Sequence, residues 1–117
     1  MAKRKARPIL EDMLAYAEEA RVMLEDRDGA ALRADRVRLL AVTRAVEIVG
    51  EAANQLPQGV KAALPLDLQP AIAMRHRLIH GYDSVSADIV AKTVRDDFPA
   101  FIASLRAILA NPLPDGS

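Results

Sequence analysis

Apolar positions early in the chain fall at Ile9, Leu10, Met13, Leu14, Ala17, Ala20 and Leu24, the spacing of one greasy face on a helix. Acidic residues Glu11, Asp12, Glu18, Glu19, Glu25 and Asp26 occupy much of the remainder. Pro8 suits a first helical turn and Asp28-Gly29 suits a stop, so the pattern predicts a first helix over about 8–27. A second pattern, over about 31–56, is apolar on more than one side: Val37, Ala41, Ala45, Ile48, Val49, Ala52, Ala53 and Leu56 form a stripe that Leu39, Val42 and Val46 widen. Such a helix is expected to be buried centrally in a bundle or to cover a second copy of the chain. In its later half Arg44, Glu47, Glu51 and Asn54 gather into a narrow band. That band reads either as a solvent-facing strip with Arg44 and Glu47 ion-paired at i,i+3, or as the polar wall of a site.

Leu56-Pro57-Gln58-Gly59 ends this helix, and Val60 to Leu64 has room only for a short turn before Pro65. Asp67 is placed to cap a third helix, with Pro70 tolerated in its first turn and Gly81 placed to end it. Ser84 or Ser86 suits the cap of a last helix carrying Val90, Val94, Phe98, Phe101, Leu105 and Ile108. Pro99 interrupts that pattern, which resumes in phase, so a kink is expected and not a break. The elements together predict an all-α, antiparallel four-helix bundle formed by one domain over residues 1–117, with 1–7 and 111–117 as flexible tails.

Composition narrows the chemistry. Aromatic residues make up 3% of a chain that is 51% hydrophobic, so Leu, Ile, Val and Ala must fill the core. With no cysteine, disulfides, thiol nucleophiles and cysteine-based zinc sites are excluded. Sixteen basic residues balance sixteen acidic ones, so any polyanion site must be a local patch and not a whole-chain field. Lys3, Arg4, Lys5 and Arg7 cluster at the start, but no apolar segment follows them, so a solvated terminus is expected in place of a signal peptide. No apolar run approaches the ~18 residues of a membrane span. A cytoplasmic protein without a membrane segment is the expectation.

The chemistry concentrates in Met74-Arg75-His76-Arg77-Leu78-Ile79-His80-Gly81-Tyr82. Arg75 and His80 are five residues apart, about 140° around a regular helix. They converge only if His80 has left the helix at its end or if a second chain helps to build the site. An arginine grips phosphate oxygens as charge builds on them, and an imidazole exchanges a proton near neutral pH, so the pair suits metal-free phosphodiester cleavage. Arg77, with Arg33, Arg36 and Arg38, is a candidate for holding flanking phosphates. A structural role, with both side chains serving the carbonyl end of the helix, is the competing reading. His76 and His80 at i,i+4, with Asp83 nearby, also make a candidate zinc pair. No Glu follows the first histidine, so the metalloprotease motif is absent and no metal or other cofactor is expected.

At these residues the sequence resembles a known family. Arg75-x4-His80-Gly81-Tyr82 is similar to the R-x4-H-x-Y motif of HepT-like toxins, which belong to the HEPN superfamily of RNases. Glu47-Ile48-Val49-Gly50-Glu51-Ala52-Ala53 resembles the family's second-helix segment, and the passage from Met74 to Tyr82 and on to Asp88-Ile89-Val90 resembles its third-to-fourth helix passage. The resemblance implies a HEPN-like homodimeric bundle with the site at the dimer cleft, acting as a metal-independent endoribonuclease in a toxin-antitoxin pair. Arg75 and His80 would be catalytic, with His76, Arg77, Glu47 and Glu51 as supporting or substrate-binding candidates. The implied partner is a nucleotidyltransferase antitoxin of the MntA type that silences the toxin by AMPylating Tyr82. The position after the motif arginine is most often Asn in such families, and here it is His76. A non-catalytic subunit that serves as the AMPylation target of its partner is the alternative function.

Overall fold

The computed structural model describes residues 5–80 and 86–117, with the His80 side chain outside that description. Its helices are α1 (Ala6–Leu24), α2 (Gly29–Ala34), α3 (Arg36–Gln55), α4 (Gln58–Ala63), α5 (Gln69–His80), α6 (Ala87–Lys92) and α7 (Phe98–Leu109). A π-helical segment, Thr93–Asp97, joins α6 to α7. Among the described residues everything regular is helical, and four long segments (α1, α3, α5 and α6 through α7) form the expected bundle. Central α3 packs on α1 and on α5, and α1 also meets α7.

The first correction falls at Asp28-Gly29. The chain leaves α1 at Glu25, whose φ is 56°, and Asp28 opens α2: its carboxylate accepts from Ala31 N at 2.9 Å. Gly29 is needed for contact: a Cβ there would lie 2.6 Å from the Asp88 Cα. Its hydrogen side lets α2 seat on the start of α6, where Arg33 also pairs with Asp88 at 3.2 Å. The second correction is a break in the helix expected over 31–56. Asp35 Oδ1 accepts from Arg38 N at 3.1 Å, so an N-cap starts α3 afresh at Arg36. Arg38 in turn bonds Asp35, Glu25 and the Met23 carbonyl, locking the α1–α3 corner.

The kink expected at Pro99 takes the form of the π segment just ahead of it. Val90, Val94, Phe98 and Ile102 are all buried at strict four-residue steps. On an α-helix such a stripe drifts about 40° per step. The wider π winding takes up part of that drift, and it sits where Pro99, lacking an N–H, cannot continue the α ladder. Ser86 supplies the cap, its Oγ accepting from Ile89 N at 3.4 Å; Ser84 lies outside the described residues.

The C-terminal tail is also corrected. Residues 111–117, expected to be flexible, fold back onto the start of α1. Leu113 is buried, and Asp115 Oδ2 accepts from Ala6 N at 2.8 Å, so the helix begins two residues ahead of Pro8. Arg7 donates to the Leu109 and Asn111 carbonyls, each at 2.8 Å. Bonds from Ser117 and from the Ala6 amide hold the Asp115 carboxyl down at about 2, against an ordinary value of 3.8. A depressed carboxylate stabilises the fold above its unfolded pKa and loses that contribution as pH falls through the folded one. Asp115→Asn is therefore expected to melt below wild type at pH 7, with the gap closing between about pH 4 and pH 2. Thermal unfolding across that range checks this, and a gap that persists unchanged at pH 2 refutes it.

Candidate active site

Helix α5 is started by Asp67, whose Oδ1 accepts from Gln69 N at 3.1 Å, with Pro70 at the second helical position where no donor is needed. Leu68 and Leu78 are buried and anchor it to the bundle. Its early residues share a core cluster with the end of α3 (Ala52, Ala53, Leu56), and Leu78 joins the cluster of Val42, Val46 and Val49. The two helices therefore run antiparallel.

Their crossing point is Gly50. A Cβ on it would stand 2.4 Å from the Ala71 carbonyl oxygen and 2.5 Å from the Arg75 Cβ. The α5 backbone thus rests on the bare α-carbon of α3 at the arginine of the motif. A mid-helix glycine costs about 1 kcal/mol relative to alanine, so its presence without a turn to make was the available signal of a close approach. The residue-by-residue reading of the sequence assigned Gly50 no role.

Arg75 is half-buried, and its Nε is fully enclosed without a hydrogen-bond partner. None of the described carboxylates pairs with it. The nearby acids are engaged elsewhere: Arg44 Nη1 lies 3.1 Å from Glu47 and 3.8 Å from Glu51. On α3 these two glutamates fall about 60° and 100° from Gly50 on one side. They border the seam that holds Arg75 while staying tied to Arg44. The second enclosed polar atom without a partner is Thr43 Oγ1, which sits on the line of Gly50 two turns earlier. It too was not picked out from the sequence.

The other candidates separate. His76 and Arg77 are exposed on α5. Arg33 and Arg38 are committed to structural bonds within the bundle, while Arg36 is exposed at the start of α3. Helix α5 runs through His80, so on one chain the backbone does not provide the early exit that would turn His80 towards Arg75. Tyr82 and Asp83 lie outside the described residues. A cavity of about 490 Å³ opens along the other edge of α5, lined by Val46, Val49, Met74 and Phe101 with Asp96 and Asp97. Its carboxylates are the wrong sign for a polyanion, and Arg75 is not among its lining residues.

The family model described as Ribonuclease HepT-like matches residues 13–108. The chain belongs to the HepT-like ribonuclease family. The match runs from within α1 through nearly all of α7 and includes both the seam at Gly50 and the motif helix. A relative named probable ribonuclease HepT, from Thermococcus cleftensis, is 31% identical over 99 residues, covering 84% of this chain and 90% of that protein. Another, from Methanocaldococcus jannaschii and carrying an RNase name, is 28% identical over 100 residues, covering 85% of this chain and 86% of its own. No solved structure matches the chain. No described helix is long and apolar enough to cross a membrane.

Proposed function

We propose that this HepT-like protein is a metal-independent endoribonuclease and the toxin of a two-component pair in the cytoplasm. The observation that carries this reading is Arg75, a cation held at a close helix crossing with none of the described carboxylates paired to it. Such a group is set for an anion from outside the chain, and an RNA phosphate meets it with two oxygens. In the reaction the 2′-oxygen attacks phosphorus, the new P–O2′ bond forms and the P–O5′ bond breaks. The products are a 2′,3′-cyclic phosphate and a 5′-hydroxyl. Arg75 balances charge on the phosphorane, and His80 takes the 2′-hydroxyl proton or delivers one to the departing 5′-oxygen. His76 and Arg77, exposed on the same helix, would contact flanking phosphates, while Glu47 and Glu51 would shape the wall beside Arg75.

Because Arg75 and His80 diverge by about 140° on one helix, the proposed site is shared by two copies of the motif in a homodimer. Apolar side chains left exposed at Val37 (81%), Leu40 (55%) and Ile79 (37%) support a second copy covering this face. The test is RNA cleavage in EDTA by wild type and His80→Ala side by side. Wild type should cut and the variant should not, and cleavage that disappears with EDTA would favour a metal at His76, His80 and Asp83. A lone protein that cuts no RNA would favour the binding-subunit function instead.

The proposed partner is a nucleotidyltransferase antitoxin of the MntA type that adds AMP to Tyr82, placing a bulky anion beside the site. Mass measurement after co-expression should show one added AMP on wild type and none on Tyr82→Phe. An unmodified wild type, or unchanged addition on the variant, removes Tyr82 from this role.

A further inference from the structure

We infer that Gly50 is a positioning residue for Arg75, an inference that rests on the ribonuclease reading and extends it from the motif helix to α3. The contact involves main chain and the root of a side chain: the places a Cβ would collide are the Ala71 carbonyl oxygen at 2.4 Å and the Arg75 Cβ at 2.5 Å. Neither is the far end of a flexible side chain. Ordinary contact needs 3.4 Å or more, so a methyl group at residue 50 moves α5 off α3 by roughly 1 Å or tilts it. The displaced residue is Arg75 itself, whose Cβ rests on Gly50 and whose Nε is enclosed without a hydrogen-bond partner. Misplacement of a charge-stabilising group by about 1 Å costs about 10²-fold in rate, because the guanidinium must meet oxygens whose positions are set by the reacting phosphorus. Glycine at residue 50 thus fixes the height of the arginine above α3, and the tie of Glu47 and Glu51 to Arg44 keeps the neighbouring carboxylates from following it.

Gly50→Ala tests this beside two controls. Gly59→Ala adds a methyl where nothing lies within 4 Å, and Leu105→Ala weakens the fully buried core from α7 without touching residue 50. With a short RNA substrate, Gly50→Ala should lose about 10- to 100-fold in kcat with KM changed less than about threefold, while both controls keep kcat. The proton on Arg75 Nε gives a readout independent of activity. In wild type its NMR signal should exchange with water more slowly than those of exposed Arg36 and Arg77, and in Gly50→Ala it should shift and lose protection. Fast exchange at Arg75 in wild type overturns the inference even if the variant fails to fold. So does a Gly50→Ala protein with kcat and an Arg75 signal like those of Gly59→Ala, or a kcat loss that Leu105→Ala matches. A wild-type protein that cuts no RNA sinks the ribonuclease reading instead, and the Arg75 signal still decides the role of Gly50.

Discussion

Arg75→Ala is expected to lower kcat for RNA cleavage by about 10²- to 10³-fold, while the unfolding midpoint stays at or above that of wild type. The rate loss corresponds to about 3–4 kcal/mol of transition-state stabilisation. The stability half of the prediction comes from the seam. Alanine keeps the Cβ that rests on Gly50 and removes an enclosed Nε that has no partner. Burying an unsatisfied donor costs about 1–3 kcal/mol, so its removal offsets whatever packing the arginine stem supplies. A merely structural arginine would behave in the opposite way, with stability falling and activity following it. Arg75→Lys should recover little of the rate, since an ammonium cannot present two parallel donors to a phosphate. Single-turnover cleavage and thermal melts on the same preparations separate the two outcomes. A melting loss that accounts for the activity loss would remove Arg75 from the chemistry.

His80→Ala is expected to reduce cleavage by about 10²- to 10⁴-fold, in EDTA as in its absence. An imidazole exchanges protons near neutral pH, where a water molecule is both a poor base and a poor acid. The substrate brings its own nucleophile in the 2′-hydroxyl, so a cation on the phosphate and one proton carrier suffice. Since α5 continues through His80, the histidine and arginine serving one phosphate should come from different copies. Mixing inactive Arg75→Ala with inactive His80→Ala should then restore part of the activity, because a heterodimer holds one intact pair. Activity that fails to return on mixing, with subunit exchange demonstrated, would place both groups on a single chain.

Local pattern was enough to read the four long helical segments and to single out Arg75 and His80 as the residues proposed to act on a phosphodiester. Helical period, caps and proline act within a few residues of one another, and the carry-over of Arg75 and His80 needed only their spacing and the family resemblance. What tertiary structure alone decided involves partners far apart along the chain. Asp28-Gly29 opens a helix instead of closing one because Gly29 must admit the backbone at Asp88. The tail is ordered because Asp115 finds the Ala6 amide across the fold. The close seat of Arg75 on Gly50, and the pairing of Arg44 with Glu47 and Glu51 beside it, appear only in the packed bundle. A glycine inside a helix announces that something comes close. Which backbone does so, and which charge it leaves unpaired, depends on packing that no local period encodes.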